Sequence, residues 1–311
     1  MLAIFLETLP FFALIGLGYL AGRTGFFNDE ATAYLTKFVF YFALSAMLFR
    51  FSATLSVREI FNWPFVLAYL WGTLLVYLVA TAIGLIRRVR VDEIAVEAQV
   101  AVIGNVGFLG IPMLVLLLGD EAIGPVMMVL AVDLIVFGSL IVILITGSRD
   151  GRMSFGVLRT VGRGLITNPM IVSISAGLIW AATGLPIPGP LSTTVDILGS
   201  AATPGALFAI GASLATKAVN KLAVTGYLSV FKLVVHPAAV AYAALFMFPV
   251  EPYAAGVMIA AASLPVAGNV FILAQHYGVA PARVSASILI STVISVVTVS
   301  LVIGWVSGFA L

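Results

Sequence analysis

The reading of this chain turns on Val102-Ile103-Gly104-Asn105-Val106-Gly107-Phe108-Leu109-Gly110-Ile111-Pro112 and on a second stretch, Leu264-Pro265-Val266-Ala267-Gly268-Asn269-Val270-Phe271-Ile272-Leu273. Each stretch sits inside a long apolar run, yet each carries residues that oppose a continuous helix. Proline removes a backbone donor and clashes with the carbonyl four residues back, and glycine lowers the cost of leaving helical geometry. The sequence therefore predicts two helices interrupted about half-way along, sharing a Gly-Asn-Val core.

The runs around them belong to a chain of 311 residues with 62% apolar and 9% charged side chains and a mean hydropathy of +1.19. Soluble domains carry about 45–50% apolar and about 25% charged residues. So little polar surface cannot cover a water-soluble body, and lipid must solvate most of the outside. A nucleic-acid partner has no support. Cysteine is absent, which excludes disulfides, thiolate metal sites and cysteine nucleophiles and leaves the redox compartment open. The start, MLAIFLETLP, has no basic leader and carries Glu7, so it reads as a first helix and not a cleaved signal.

A bilayer core of about 30 Å takes roughly 20 residues of helix. Cutting at charge, Gly and Pro clusters gives ten such segments: 2–21, 31–51, 62–86, 93–118, 122–146, 168–184, 190–216, 222–248, 253–277 and 282–310. The runs are continuous, which favours helices over the alternating short strands of a barrel. The expected fold is an all-α polytopic membrane protein. Basic residues divide unevenly between the two sets of connections. Arg23, Arg87, Arg88, Arg90, Arg149, Arg152, Arg159, Arg163, Lys217, Lys221 and Arg283 lie on one side, and Arg50 and Arg58 on the other. The positive-inside rule then puts the 147–167 loop in the cytoplasm and both termini outside the cell membrane.

The chain also matches itself. Besides the shared Gly-Asn-Val, Ser45 to Phe49 and Ala53 to Leu55 match Pro204 to Phe208 and Ala212 to Leu214, in the same order. With five helices per half, the second half enters from the opposite side. Residues 1–146 and 168–311 are therefore expected to form an inverted repeat around the basic loop, with broken helices 4 and 9 crossing. Paired interruptions at matched positions are a sequence pointer to a transporter binding site, and non-helical backbone at that depth must face protein or a cavity. The second half of each broken helix would present N–H groups and a positive dipole end, suited to an anion, and the first halves would offer carbonyls, suited to a cation. Candidate substrate-binding residues are Gly104, Asn105, Val106, Gly107, Pro112, Pro265, Gly268 and Asn269, with Ser45 and Pro204 from helices two and seven. The two asparagines are open to a second role, as caps of the broken ends.

Ionisable side chains within spans need a partner or a wet cavity. Asp133 and Lys232 sit deepest and are expected to pair, either to fix helix packing or to couple transport, and His236 is a candidate proton carrier. Lys37 and Asp196 can snorkel.

These residues together resemble the auxin efflux carrier family. The run from Gly104 to Pro112, Asn168-Pro169, Pro204 with Gly211, Lys232 with Pro237, and Leu264-Pro265 through Asn269 to Gly278 carry the resemblance over nearly the whole chain. It implies ten helices in two inverted five-helix repeats, a scaffold and a transport domain, and elevator-like export or exchange of organic anions. Prokaryotic members look like carriers of malonate and malate, and plant members carry auxin. The resemblance implies malonate or malate ahead of an indole acid for a chain without the long cytoplasmic loop. A homodimer is expected, with no cofactor and no metal; a coupling ion would be H+ or Na+. This chain departs from the family at Ser45, where helix two usually has proline. An anion channel and a non-transporting membrane receptor are the alternatives. An intramembrane hydrolase is not supported, since no His-Glu-x-x-His or Gly-x-Ser-x-Gly motif is present.

Overall fold

The computed structural model describes residues 2–53, 62–150, 155–215 and 222–310. Among them every regular element is helical, and one antiparallel bridge, Gly104 to Val266, is the only extended pairing. In chain order the helices are α1 Leu2–Arg23, α2 Asp29–Ala53, α3 Trp63–Ile86, α4 Val91–Val102, α5 Val106–Leu118, α6 Asp120–Ser148 and α7 Phe155–Thr167. They continue with α8 Pro169–Thr183, α9 Gly189–Ala215, α10 Ala223–Met247, α11 Pro252–Ala262, α12 Gly268–Tyr277 and α13 Pro281–Ala310.

Local sequence explains most boundaries. Asn28, Asn62 and Asn168 accept backbone N–H bonds at the starts of α2, α3 and α8, and the Glu251 carboxylate does the same for α11. Proline follows at the first or second position of α3, α8 and α11, where its missing N–H costs nothing. Gly184 and Gly278 close α8 and α12 in the left-handed region.

Among the described residues six helices are long and apolar enough to cross a membrane, or seven if the bent pair α7 and α8 is counted as one. This is fewer than the ten segments expected, for a physical reason. The segments at 93–118 and 253–277 are each split into two short helices, whereas α1, expected at 2–21, runs as one helix of 22 residues from Leu2 to Arg23. The expected 147–167 loop is also largely helical, because α7 has apolar residues at Leu158, Val161 and Leu165 alternating with Arg159 and Arg163 in helical register. Arg58, Arg152, Lys217 and Lys221 and the side chains of Glu7 and Arg149 lie outside the described residues.

The helices sort into two packing groups. In the first, α1 lies along α9 and α8 lies along α2. The contacts are backbone to backbone: a Cβ on Gly18 would stand 2.1 Å from the Phe208 carbonyl oxygen, and one on Gly177 would stand 2.6 Å from that of Phe49. The second group holds α3 to α6 and α10 to α13. At one end of it the buried Glu97 carboxylate accepts from Arg87 (2.6 Å), Tyr227 (2.7 Å) and Arg283, tying α3, α4, α10 and α13 together. The core runs through this second group, with the alanine-rich α11 buried from Ala255 to Ala262 and packed against α13.

Candidate functional site

The two interruptions meet. Asn105 N–H donates to the Pro265 carbonyl at 2.8 Å and Ala267 N–H donates to the Ile103 carbonyl at 3.1 Å, so each break satisfies backbone groups that the other leaves open. The non-helical link in the first break is Ile103 to Asn105. Pro112, expected within the break, instead lies in the first turn of regular helix after a π turn at Val106–Gly110. It is tolerated there because an N-terminal N–H needs no helical partner.

Beside this junction lies a cavity of about 20 Å³, lined by Gly104, Asn105, Gly107 and Phe108 from the first break, Ala267, Gly268 and Asn269 from the second, and Leu130, Asp133 and Leu134 from α6. Its one wall from the first packing group is Met170 at the start of α8. The volume is that of a single water, too small for an organic substrate in this state. Neither asparagine caps a helix: Asn105 makes no side-chain cap bond, and Asn269 Oδ1 is buried without a partner. Asp133 Oδ2 is likewise buried and unpartnered. Two orphaned acceptors on one small cavity are costly unless a donor enters it, such as a water or a protonated carboxyl group.

Behind the cavity runs a buried polar chain. Tyr69 Oη donates to Asp133 Oδ1 at 2.8 Å, the Tyr69 and His236 rings meet edge-on at 6.0 Å, and His236 Nε2 lies 3.0 Å from Thr73 Oγ1. Lys232 Nζ lies 3.2 Å from His236 Nδ1 and donates to the Ala262 carbonyl. The expected Asp133–Lys232 salt bridge is not formed among the described residues; Asp133 turns to Tyr69 and Lys232 to His236 and the end of α11. Both residues sit on π turns, Asp133–Phe137 and Phe231–Val235, whose wider winding re-aims side chains relative to a 3.6-residue helix. Asp196 does not snorkel alone but pairs with Arg50 at 3.0 Å, with both side chains about half exposed.

Of the other expected residues, Val106 and Pro265 are buried at the junction. Ser45 and Pro204 do not line the cavity: the Ser45 hydroxyl donates to the Phe40 carbonyl at 3.2 Å and Pro204 is exposed. Pro112 borders a second, more open cavity of about 380 Å³ between the packing groups, with Arg50, Gly199 and Thr203. Tyr69, Thr73, Leu130 and Met170 were not singled out by sequence reasoning. Only a buried hydroxyl inside an apolar run gave any hint of the first two.

Residues 3–303 match the family model described as membrane transport protein. The chain belongs to this auxin efflux carrier family. A family member from Rhizobium meliloti (strain 1021), described as a "Putative malonate transporter", is 34% identical over 295 residues, covering 94% of this chain and 92% of its own length. An uncharacterized transporter of Methanocaldococcus jannaschii is 24% identical over 304 residues, with 94% and 95% covered. Family membership and the apolar helices together make the chain a multi-pass membrane transport protein.

Proposed function

We propose that this chain is a secondary carrier of a small organic carboxylate, of the malonate or malate class, with its site at the meeting of the two breaks. The observation that carries the reading is the cavity where Asn105 and Asn269 face one space beside the first turns of α5 and α12. Helix starts offer backbone N–H groups to an anion, and an amide side chain offers both donor and acceptor. The similarity to a protein described as a malonate transporter supports the substrate class.

The inverted ten-span arrangement, with 1–146 and 168–311 as its halves, is part of this proposal. Its support is a reciprocity of contacts: Gly18 meets Phe208 while Gly177 meets Phe49, and both glycine and phenylalanine positions are related by the same step of 159 (177 − 18 and 208 − 49). A two-fold relation between halves produces such exchanged pairs. Alternating access then moves the second packing group against the first, drawing the cavity away from Met170. The basic-loop bias orients α7 to the cytoplasm and both termini outward.

Purified protein should bind malonate by titration calorimetry, and both Asn105→Ala and Asn269→Ala should weaken it. Unchanged affinity in both variants would refute the site, and counterflow in proteoliposomes separates a carrier from a pore.

A further inference from the structure

The C-terminal end of α11 points its last carbonyls into the junction, the kind of feature that elsewhere binds a cation. Here those carbonyls are taken by protein donors. Ser263 N–H donates to Ile259 and Ala260, Ser263 Oγ donates to Ala260 at 2.8 Å, Leu264 N–H donates to Ala261 at 3.3 Å, and Lys232 Nζ donates to Ala262. Lys232 is wholly buried and has no carboxylate within salt-bridge distance among the described residues. Its amine also lies against the other break, because a Cβ on Gly104 would stand 3.3 Å from both Lys232 Nζ and the Ala261 carbonyl oxygen. One amine therefore touches both interruptions, with His236, Asp133, Tyr69 and Thr73 as the titratable and polar groups around it.

We infer that Lys232 is a resident cation: it occupies the cation site made by the broken end of α11, so the chain holds its counter-charge covalently and takes no sodium there. The inference rests on the proposed carrier reading for its importance to transport, but not for its test. A buried lysine that is merely structural would pack its stem against apolar neighbours and send its head to a carboxylate; this one ends on helix-terminal carbonyl and imidazole. Glycine at 104 also leaves room for the amine, since a Cβ there would stand tight against both Lys232 Nζ and the Ala261 carbonyl oxygen.

The test is cation-specific stability in detergent, which needs no transport. Wild-type protein should melt at the same temperature in sodium chloride and in choline chloride of equal ionic strength; a sodium-specific rise would overturn the inference, whatever the variants do. Lys232→Ala should melt lower, and ethylammonium or sodium chloride, but not choline chloride, should restore at least half of the loss. Lys232→Arg should keep most of the stability without added cation. Failure of small cations to act on Lys232→Ala while Lys232→Met melts like wild type would show that the amine fills no cation site. Malonate binding to the wild type, read separately, reports on the carrier proposal alone.

Discussion

Gly18 and Gly177 offer the sharpest mechanical test of the fold. Adding one methyl at Gly18 places carbon 2.1 Å from the Phe208 oxygen and 2.8 Å from its carbonyl carbon; at Gly177 the new carbon meets Ser52 Cβ at 2.5 Å and the Phe49 oxygen at 2.6 Å. Ordinary carbon–oxygen contacts begin at about 3.3 Å and carbon–carbon contacts at about 3.5 Å. Each pair of helices must therefore part by about 1 Å, and since most of the atoms met are backbone, no rotamer change relieves them. A gap of that size forfeits roughly a quarter to a half of the dispersion energy along the crossing. Overpacking of this kind typically costs about 1–3 kcal/mol, against a helix-propensity gain of roughly 1 kcal/mol for Gly→Ala. The net expectation is a loss of about 0–2 kcal/mol for each single variant, near the sum for the double, because the two crossings do not share a partner. Gly16→Ala is the internal control, since nothing lies within 4 Å of its Cβ; it should be neutral or slightly stabilising. The assay is thermal unfolding in detergent. If Gly18→Ala melts no lower than Gly16→Ala, the tight crossing of α1 and α9 is wrong, and with it the reciprocal packing used to support the repeat.

Asn105→Ala and Asn269→Ala should each weaken malonate binding by about tenfold to a hundredfold, the loss of one hydrogen bond to a charged group at about 1.5–3 kcal/mol, read by calorimetry. Arg283→Gln should cost about 1.5–3 kcal/mol, because it strips one of three partners from the buried Glu97 carboxylate and leaves Arg87 and Tyr227 in place; Arg50→Gln, which breaks an exposed pair with Asp196, should cost less than about 1 kcal/mol in the same melting assay. Met170→Ala should enlarge the closed cavity and lower stability by about 2–5 kcal/mol, while a soluble carboxylate recovers part of the loss by filling the space. A cysteine introduced at Arg163, in a chain with no native cysteine, should react with membrane-impermeant maleimide only from the cytoplasmic side; labelling from outside intact cells would reverse the orientation.

The breaks were legible because glycine and proline announce themselves locally, and the matched Gly-Asn-Val pair gave the meeting of distant segments before any coordinates did. The centre of the first break was less legible. Proline at 112 is the loudest residue in that stretch, but the backbone leaves the helix eight residues earlier, where glycine approaches Lys232 and Ala261. Depth in the span pairs Asp133 with Lys232, but depth does not fix which way a side chain faces, and both residues sit on π turns that depart from a 3.6-residue winding. Tyr69 and Met170 reach the site from α3 and α8, and nothing in their own neighbourhoods marks them. The charge of the basic 147–167 stretch points to a loop, whereas its apolar residues recur in helical register and Phe155–Thr167 is a helix.

Two helices broken within an apolar layer would ordinarily leave a wet seam, since unpaired amides and carbonyls draw water, and a file of water conducts protons. The exchange of bonds between Ile103 and Ala267 and between Asn105 and Pro265 closes that seam with backbone alone. The junction thus insulates the protein where its two helices break, and its integrity can be read as electrical tightness: liposomes carrying the empty protein should hold a membrane potential as well as liposomes without it.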